Sequence, residues 1–191
     1  MQKYLTEIRE FIVKNKSRVA QGAFVSVVVV FLVALFVYDN TPHYTYQPTV
    51  ACDVLTPEVA MDVLGDKVTN IENKKLMPDK DTVISGCNYA DDNKDDEAKK
   101  LITMSVRSAV RDAGLLQNSN DFAAYRANNE VENVDGVGQE AYYVTANSQL
   151  NVLDGRRWVK LSIVRGHQNE AVSLSETVKL AKKILAVQPK A

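Results

Sequence analysis

Two cysteines, Cys52 and Cys87, are the residues of this 191-residue chain that could form a covalent cross-link. In an exported protein two isolated thiols most often pair, because the compartment is oxidising. Closing the loop between them would stabilise the fold by roughly 3–4 kcal/mol in the chain-entropy model. The alternative is a lipid on Cys52, since Thr49-Val50-Ala51-Cys52 loosely matches a lipoprotein cleavage box. Such a box should abut an apolar segment, whereas residues 39–48 intervene, so we expect a disulfide.

An acidic segment after the second cysteine has the spacing of a cation site. Asp91, Asn93 and Asp95 occupy the first three alternate ligand positions of a calcium loop. However, Asp96 replaces the glycine that this loop needs, and Ile102 stands where its bidentate glutamate belongs. We therefore expect a solvated hairpin tip here and no metal.

No motif of a catalytic site is present in the sequence. The two histidines, His43 and His167, are too few and too widely separated for an imidazole metal site. The chain lacks a nucleophile elbow, a P-loop, an H-E-x-x-H helix and a C-x-x-C pair. Gly136-Val137-Gly138 lacks the third glycine of a dinucleotide loop and predicts a turn. We expect no catalytic residue and no cofactor, and hence a protein that is not an enzyme.

The only tryptophan, Trp158, falls on a predicted strand with its aliphatic residues on the opposite face. If helices cover one face of the sheet, Trp158 and Lys160 would line an open surface with Tyr142 or Tyr143. Such a surface suits a ligand or a partner protein. If helices cover both faces, Trp158 belongs to the core, as large aromatic side chains usually do.

The elements that would position these residues alternate between helices and runs of strands. A helix with Thr56 as its N-cap and Gly65 at its end is followed by predicted strands near 68–71, 82–89 and 100–110. A second helix, capped by Asn120 or Asp121, precedes strands at 138–146, 150–153 and 157–164, the last two joined by a type I′ turn at Asp154-Gly155. A capping box at 173–176 starts the last helix. This α-β-β-β-α-β-β-β-α order predicts an α+β fold with an antiparallel sheet, and it hints at a pseudo-repeat.

A segment without charge at 19–38 is long enough to cross a membrane as one helix. Five basic residues precede it and none follows until Lys67, which predicts a cytoplasmic N-terminus. A cleaved signal peptide is the alternative, but its small-residue cleavage site is missing, so we expect an uncleaved signal anchor. The predicted organisation is a cytoplasmic amphipathic segment at 1–18, the anchor, an extracytoplasmic tether at 39–51 and an outer domain at 52–188.

The parts on either side of the anchor differ in charge and in their expected partners. The segment at 2–14 has an apolar face at helical spacing and predicts a helix that lies on membrane lipid or docks on another membrane protein. Residues 39–191 carry an excess of acidic groups. That excess excludes nucleic acid as a partner, because phosphates require a basic footprint.

Four short segments resemble a known group of exported domains: Cys52-Asp53-Val54-Leu55-Thr56, Gly86-Cys87-Asn88-Tyr89, 136–143 and 178–185. They are similar to actinobacterial-type exported lipoprotein domains of unknown function, which are related to extracytoplasmic sensor domains of some membrane kinases. The resemblance implies a Cys52–Cys87 disulfide and an α+β fold, and it implies no catalytic residues. This chain differs in carrying a membrane span and a spacer instead of a lipid anchor.

We therefore expect a membrane-anchored extracytoplasmic domain that binds a protein, glycan or lipid at the cell envelope. One alternative is an accessory subunit of a membrane complex, held through the N-terminal helix and the span. The other alternative is an envelope hydrolase, which would require a convergent cluster of catalytic side chains.

Overall fold

The computed structural model describes residues 28–33, 44–65, 67–95, 97–166 and 170–187. The chain divides into two compact units, Met1–His43 and Tyr44–Ala191. In the first unit, residues 28–33 are helical with exposed side chains. No helix within the described residues has the length and apolar character needed to span a membrane. The rest of the predicted anchor at 19–38, the segment at 1–18 and residues 39–43 lie outside the described residues.

The second unit contains helices and strands in the order that the sequence predicts, with a few short additions. The helices are α1 (Ala51–Val54), α2 (Pro57–Leu64), α3 (Asp112–Ala127) and α4 (Leu174–Ala186). The strands are β1 (Val68–Pro78), β2 (Thr82–Asp91), β3 (Lys100–Ala109), β4 (Val131–Asn133), β5 (Glu140–Val144), β6 (Gln149–Asp154), β7 (Arg157–Arg165) and β8 (Glu170–Ala171). The α+β class is confirmed, while α1, β4 and β8 are short elements for which the sequence shows no periodicity.

Within the described residues the strands form one antiparallel sheet of eight strands. Their order is β1-β2-β3-β7-β6-β5-β4, and β8 pairs with the end of β7. Two meanders, β1-β2-β3 and β4-β5-β6-β7, therefore meet where β3 pairs with β7. The predicted antiparallel sheet is confirmed.

One face of this sheet is covered by α1, α2 and α4. The largest buried side chains on this face include Ile102 and Met104 of β3 and Leu161 of β7. They pack against Leu180 and Ile184 of α4 and against residues of α1 and α2. The helix caps follow their prediction: the Thr56 hydroxyl accepts from the Val59 amide, and the Ser173 hydroxyl accepts from the Glu176 amide.

The disulfide is present, and it attaches α1 to the sheet. Cys52 in α1 is bonded to Cys87 in β2, and their Cα atoms lie 5.2 Å apart. The Cys87 side chain is fully buried in the core. The prediction of a bridge is thus confirmed.

Residues 44–50 are attached to the folded unit by hydrogen bonds. The Thr45 and Tyr46 amides donate to the Val110 carbonyl at 2.8 and 3.0 Å. The Thr49 amide donates to the Ser108 hydroxyl at 2.9 Å. The folded unit accordingly begins at Tyr44, so the last residues of the segment predicted as a tether are part of the domain.

Two local predictions need correction. Helix α3 begins at Asp112, well before the predicted cap at Asn120 or Asp121, and its N-cap Arg111 makes no side-chain cap bond. The β6–β7 turn consists of Gly155 and Arg156, and of these two only Gly155 has a positive φ, 57°. A type I′ turn needs a positive φ at both central residues, so this turn is of another type.

Candidate binding site on the open half of the sheet

The second face of the sheet is covered over only half of its width, by α3. Phe122 of α3 packs on Tyr142 of β5 and on Trp158 of β7, with ring centroids 4.6 and 5.9 Å apart. Tyr125, one turn further along, lies 6.0 Å from Trp158. These rings form a small second core that is separate from the main one.

The four residues that the sequence singles out as a surface divide between the two faces. Tyr142, Trp158 and Lys160 share the face under α3, whereas Tyr143 lies in the main core on the other face. Trp158 is 5% exposed and its indole nitrogen donates to Asn151 Oδ1 at 3.1 Å. The Tyr142 hydroxyl donates to the Phe122 carbonyl at 3.0 Å, and burial raises its pKa. Only Lys160 of the four is partly exposed.

The open surface is the part of the second face that α3 leaves uncovered, on β1, β2 and the part of β3 around Thr103 and Ser105, since α3 packs on β3 near Arg107 and Ala109. A shallow groove of about 120 Å³ lies there. The residues that line it are Met77, Ile84, Ser85, Gly86, Asn88, Thr103, Met104 and Ser105. Gly86 pairs with Ser105, and Ser105 pairs with Lys160, so Lys160 forms the border of the groove on the α3 side.

Four side chains on this face hold hydrogen-bond donors that no other described residue uses; we call Asn88, Thr103, Ser105 and Lys160 the donor patch. Asn88 and Thr103 are opposite each other in the β2–β3 register, and Ser105 and Lys160 are opposite each other between β3 and β7. Opposed residues in an antiparallel pair have Cβ atoms about 4.5–5.5 Å apart. A single ligand group can therefore contact two or more members of the patch.

Aromatic rings hold the ammonium of Lys160 in place. Its Nζ atom lies 4.2 Å from the ring centroid of Trp158 and 4.4 Å from that of Tyr125. Burial lowers the pKa of the Lys160 ammonium, and the positive charge of Arg107 lowers it further. Arg107 lies on the same face, but its guanidinium is bonded to the Asp121 carboxylate of α3 at 2.5 Å.

The acidic segment that has the spacing of a calcium loop uses its side-chain oxygens for backbone contacts. The side-chain oxygens of Asp91, Asn93 and Asp95 accept from the amides of Asn93, Asp95 and Glu97, at 3.3, 3.1 and 3.1 Å. These side-chain oxygens therefore cap successive turns of the loop. No group of three metal-ligating side chains occurs among the described residues.

The Gly136-Val137-Gly138 segment forms a loop beside β5, with a positive φ at both glycines. A Cβ on Gly138 would lie 2.7 Å from the Leu153 carbonyl oxygen, so this glycine is needed for close packing against β6. The turn prediction is confirmed, and its role is structural.

Sequence reasoning missed Asn88, Thr103 and Ser105. Their signal is the alternation of polar and apolar residues along β2 and β3, in which every second side chain faces away from the core. That alternation identifies the face, but it does not reveal that a single helix covers only the neighbouring strands.

No protein-family model, curated protein or solved structure matches this chain. Support for a function therefore comes from the geometry of the donor patch.

Proposed function

We propose that this chain is a membrane-anchored extracytoplasmic domain that binds a ligand of the cell envelope on the open half of its sheet. The observation that carries this proposal is the donor patch. Asn88, Thr103 and Ser105 line one groove, Lys160 lies opposite Ser105 at its border, and no other described residue uses their donors. A concave surface with a few convergent polar groups on a rigid support is the usual form of a specific binding site.

The neighbouring elements support binding by a preformed surface. The floor of the groove consists of β2 and β3, which are paired over nine residues without a register shift. Its border at Lys160 is supported by Trp158, whose ring is fixed by packing on Phe122 and by the bond to Asn151. A site on paired strands changes little when a ligand binds, and this reduces the entropy that binding costs.

The predicted anchor at 19–38 gives the proposal its location. With the N-terminus in the cytoplasm, the disulfide-closed domain would lie outside the membrane, where a Cys52–Cys87 bridge persists. Its ligand would then be a protein, glycan or lipid of the envelope.

Site-specific photocrosslinking on the full-length chain in its native membranes tests this proposal. Thr103 is exposed at the centre of the patch, so a photoreactive residue there should form a discrete adduct with the ligand. Lys179 is exposed on α4, on the far side of the sheet, and provides the matched control position. A discrete adduct at position 103 that is absent at position 179 is expected.

Two results would contradict the proposal. Equal adducts at both positions would indicate random collision with neighbouring molecules. No adduct at position 103, with intact protein in the membrane, would mean that the open face has no occupant.

A further inference from the structure

The ammonium of Lys160 has a positive charge that the described residues leave uncompensated. No carboxylate of the described residues forms an ion pair with it, whereas the adjacent Arg107 is paired with Asp121 at 2.5 Å. Two aromatic rings stabilise the ammonium by cation–π contacts. They do not use up its hydrogen-bonding capacity, because an ammonium has three N–H donors.

An oxyanion binds to hydrogen-bond donors, and a hydroxyl donor lies next to Lys160. Ser105 lies directly opposite Lys160 in the β3–β7 register, and its hydroxyl is not bonded to any other described residue. Hydrogen bonds from an ammonium to an anionic oxygen are about twice as strong as those between neutral groups. One oxygen of an anion can thus contact Lys160 while the other accepts from Ser105.

Charge and space restrict the anion further. A single uncompensated cation matches a single negative charge, whereas a phosphate monoester carries about −1.5 to −2 at neutral pH. A phosphodiester has the right charge but needs room for two ester substituents. The groove is only about 120 Å³, so a group with one substituent fits better.

We infer that the donor patch binds a carboxylate group of its ligand, with Lys160 as the charge partner and Ser105 as the second donor. This inference rests on the proposed binding function and specifies the chemistry of the ligand.

The single tryptophan provides a direct reporter of this site, because the Lys160 ammonium lies over its ring. Full-length protein in detergent is titrated with sodium acetate, replacing sodium chloride at constant ionic strength and pH. A saturable change in Trp158 fluorescence is expected, with a Kd on the order of 10 mM for so small a probe. Dimethyl phosphate, titrated in the same way, should bind at least tenfold more weakly.

Variants separate the role of Lys160 from a general salt effect. K160M should abolish the saturable response to acetate, K160R should retain it, and K179M on α4 should leave it unchanged. S105D places a carboxylate of the protein opposite Lys160 and should also abolish the response. Because S105D keeps the lysine and its aromatic contacts, it tests the inference even if K160M fails to fold.

Several results would overturn the inference: no acetate-specific saturation in the wild type, equal responses in K160M or S105D, or dimethyl phosphate binding as tightly as acetate. The inference and the proposed function fail separately. Crosslinking at position 103 with a flat acetate titration would overturn only the carboxylate inference. A saturable acetate response without crosslinking would overturn only the binding function in the envelope.

Discussion

Helix α3 approaches the sheet so closely at Gly114 that any side chain there must displace it. A Cβ at this position would lie 2.1 Å from the Asp81 carbonyl oxygen and 3.2 Å from the Ala109 Cα atom. The usual distance between a carbon and a carbonyl oxygen in contact is about 3.3–3.6 Å. Both obstructing groups belong to the backbone, and the Asp81 carbonyl also accepts from the Val110 amide at 2.9 Å. The clash therefore requires a shift of the helix by more than about 1 Å.

We predict that Gly114→Ala destabilises the domain by about 2 kcal/mol. Overpacking costs about 1–3 kcal/mol, and the shift also separates Phe122 from Trp158 and weakens their ring contact. The better helix propensity of alanine returns only about 0.5–1 kcal/mol. For a domain of this size, a loss of 2 kcal/mol lowers Tm by roughly 4–8 °C.

Urea unfolding of the full-length protein, followed by Trp158 fluorescence, measures this effect next to α3. Ser119→Ala is the matched control, because Ser119 is exposed on the same helix and the substitution should change the unfolding free energy by less than about 0.5 kcal/mol. A Gly114→Ala protein as stable as the wild type, or more stable, would refute the close approach of α3 to the sheet.

Four further variants test the disulfide, the 136–138 loop and the buried tyrosine. C52A/C87A should lose about 4 kcal/mol of unfolding free energy, because a bridge between residues 35 positions apart constrains the unfolded chain; reductant should weaken the wild type similarly and leave the variant unchanged. Gly138→Ala should be more destabilising than Gly136→Ala, since both require a positive φ but only a Cβ at 138 meets the Leu153 carbonyl and the Val152 side chain; equal losses in urea unfolding would contradict this. Burial raises the folded-state pKa of Tyr142 above its unfolded value of about 10, so above about pH 10 the unfolded chain releases a proton that the folded protein keeps. The unfolding free energy of the wild type should therefore fall more steeply with alkaline pH than that of Tyr142→Phe, by up to about 1.4 kcal/mol per pH unit, and parallel curves would contradict it.

The sequence predicts those elements whose cause is local. Thr56 and Ser173 cap their helices by bonds within the first turn, and apolar residues at alternate positions identify β3 and β7. The disulfide follows from the presence of two cysteines in a compartment that the anchor predicts. The residues that determine the caps and the strands lie close together in sequence, and the two cysteines can form a disulfide within the chain only with each other.

Helix α3 shows what local signals leave out. Its first half contains Gly114 and several polar residues, so its helix propensity is poor and its apolar periodicity weak. The helix forms there because contacts with the sheet offset the low helix propensity. Asn118 donates to the Arg107 and Arg156 carbonyls, both at 3.2 Å, and Gly114 permits close packing. These partners are far away in sequence, and no periodicity within 112–120 encodes them.

The two halves of the chain share an order of elements but differ in how their helices pack. Helix α2 lies on the first face, before the β1-β2-β3 meander, and α3 lies on the second face, before β4-β5-β6-β7. Because β3 and β7 pair antiparallel, a two-fold rotation that relates the two meanders must have its axis perpendicular to the sheet. Such a rotation does not exchange the two faces, so it would place α2 and α3 on the same face. The resemblance between the halves is therefore limited to the order of elements.

Because α3 alone of the helices described in the second unit lies on the second face, part of that face is exposed to water. Exposure to water explains its polar side chains, but it does not explain the position of Lys160. A helix with its side chains is about 10–12 Å wide, and neighbouring strands are about 4.8 Å apart, so α3 cannot cover all strands of this sheet. The second face of β2 and of the part of β3 around Thr103 and Ser105 must then meet water, and Gly86, Asn88, Thr103 and Ser105 satisfy that requirement without any ligand. Contact with water does not explain the position of Lys160. Its ammonium lies within 4.2–4.4 Å of two aromatic rings, which stabilise the charge, at the edge of a buried cluster where burial lowers its pKa. No carboxylate of the described residues neutralises that charge, so Lys160 is the residue whose substitution distinguishes a solvated sheet from the proposed anion-binding site.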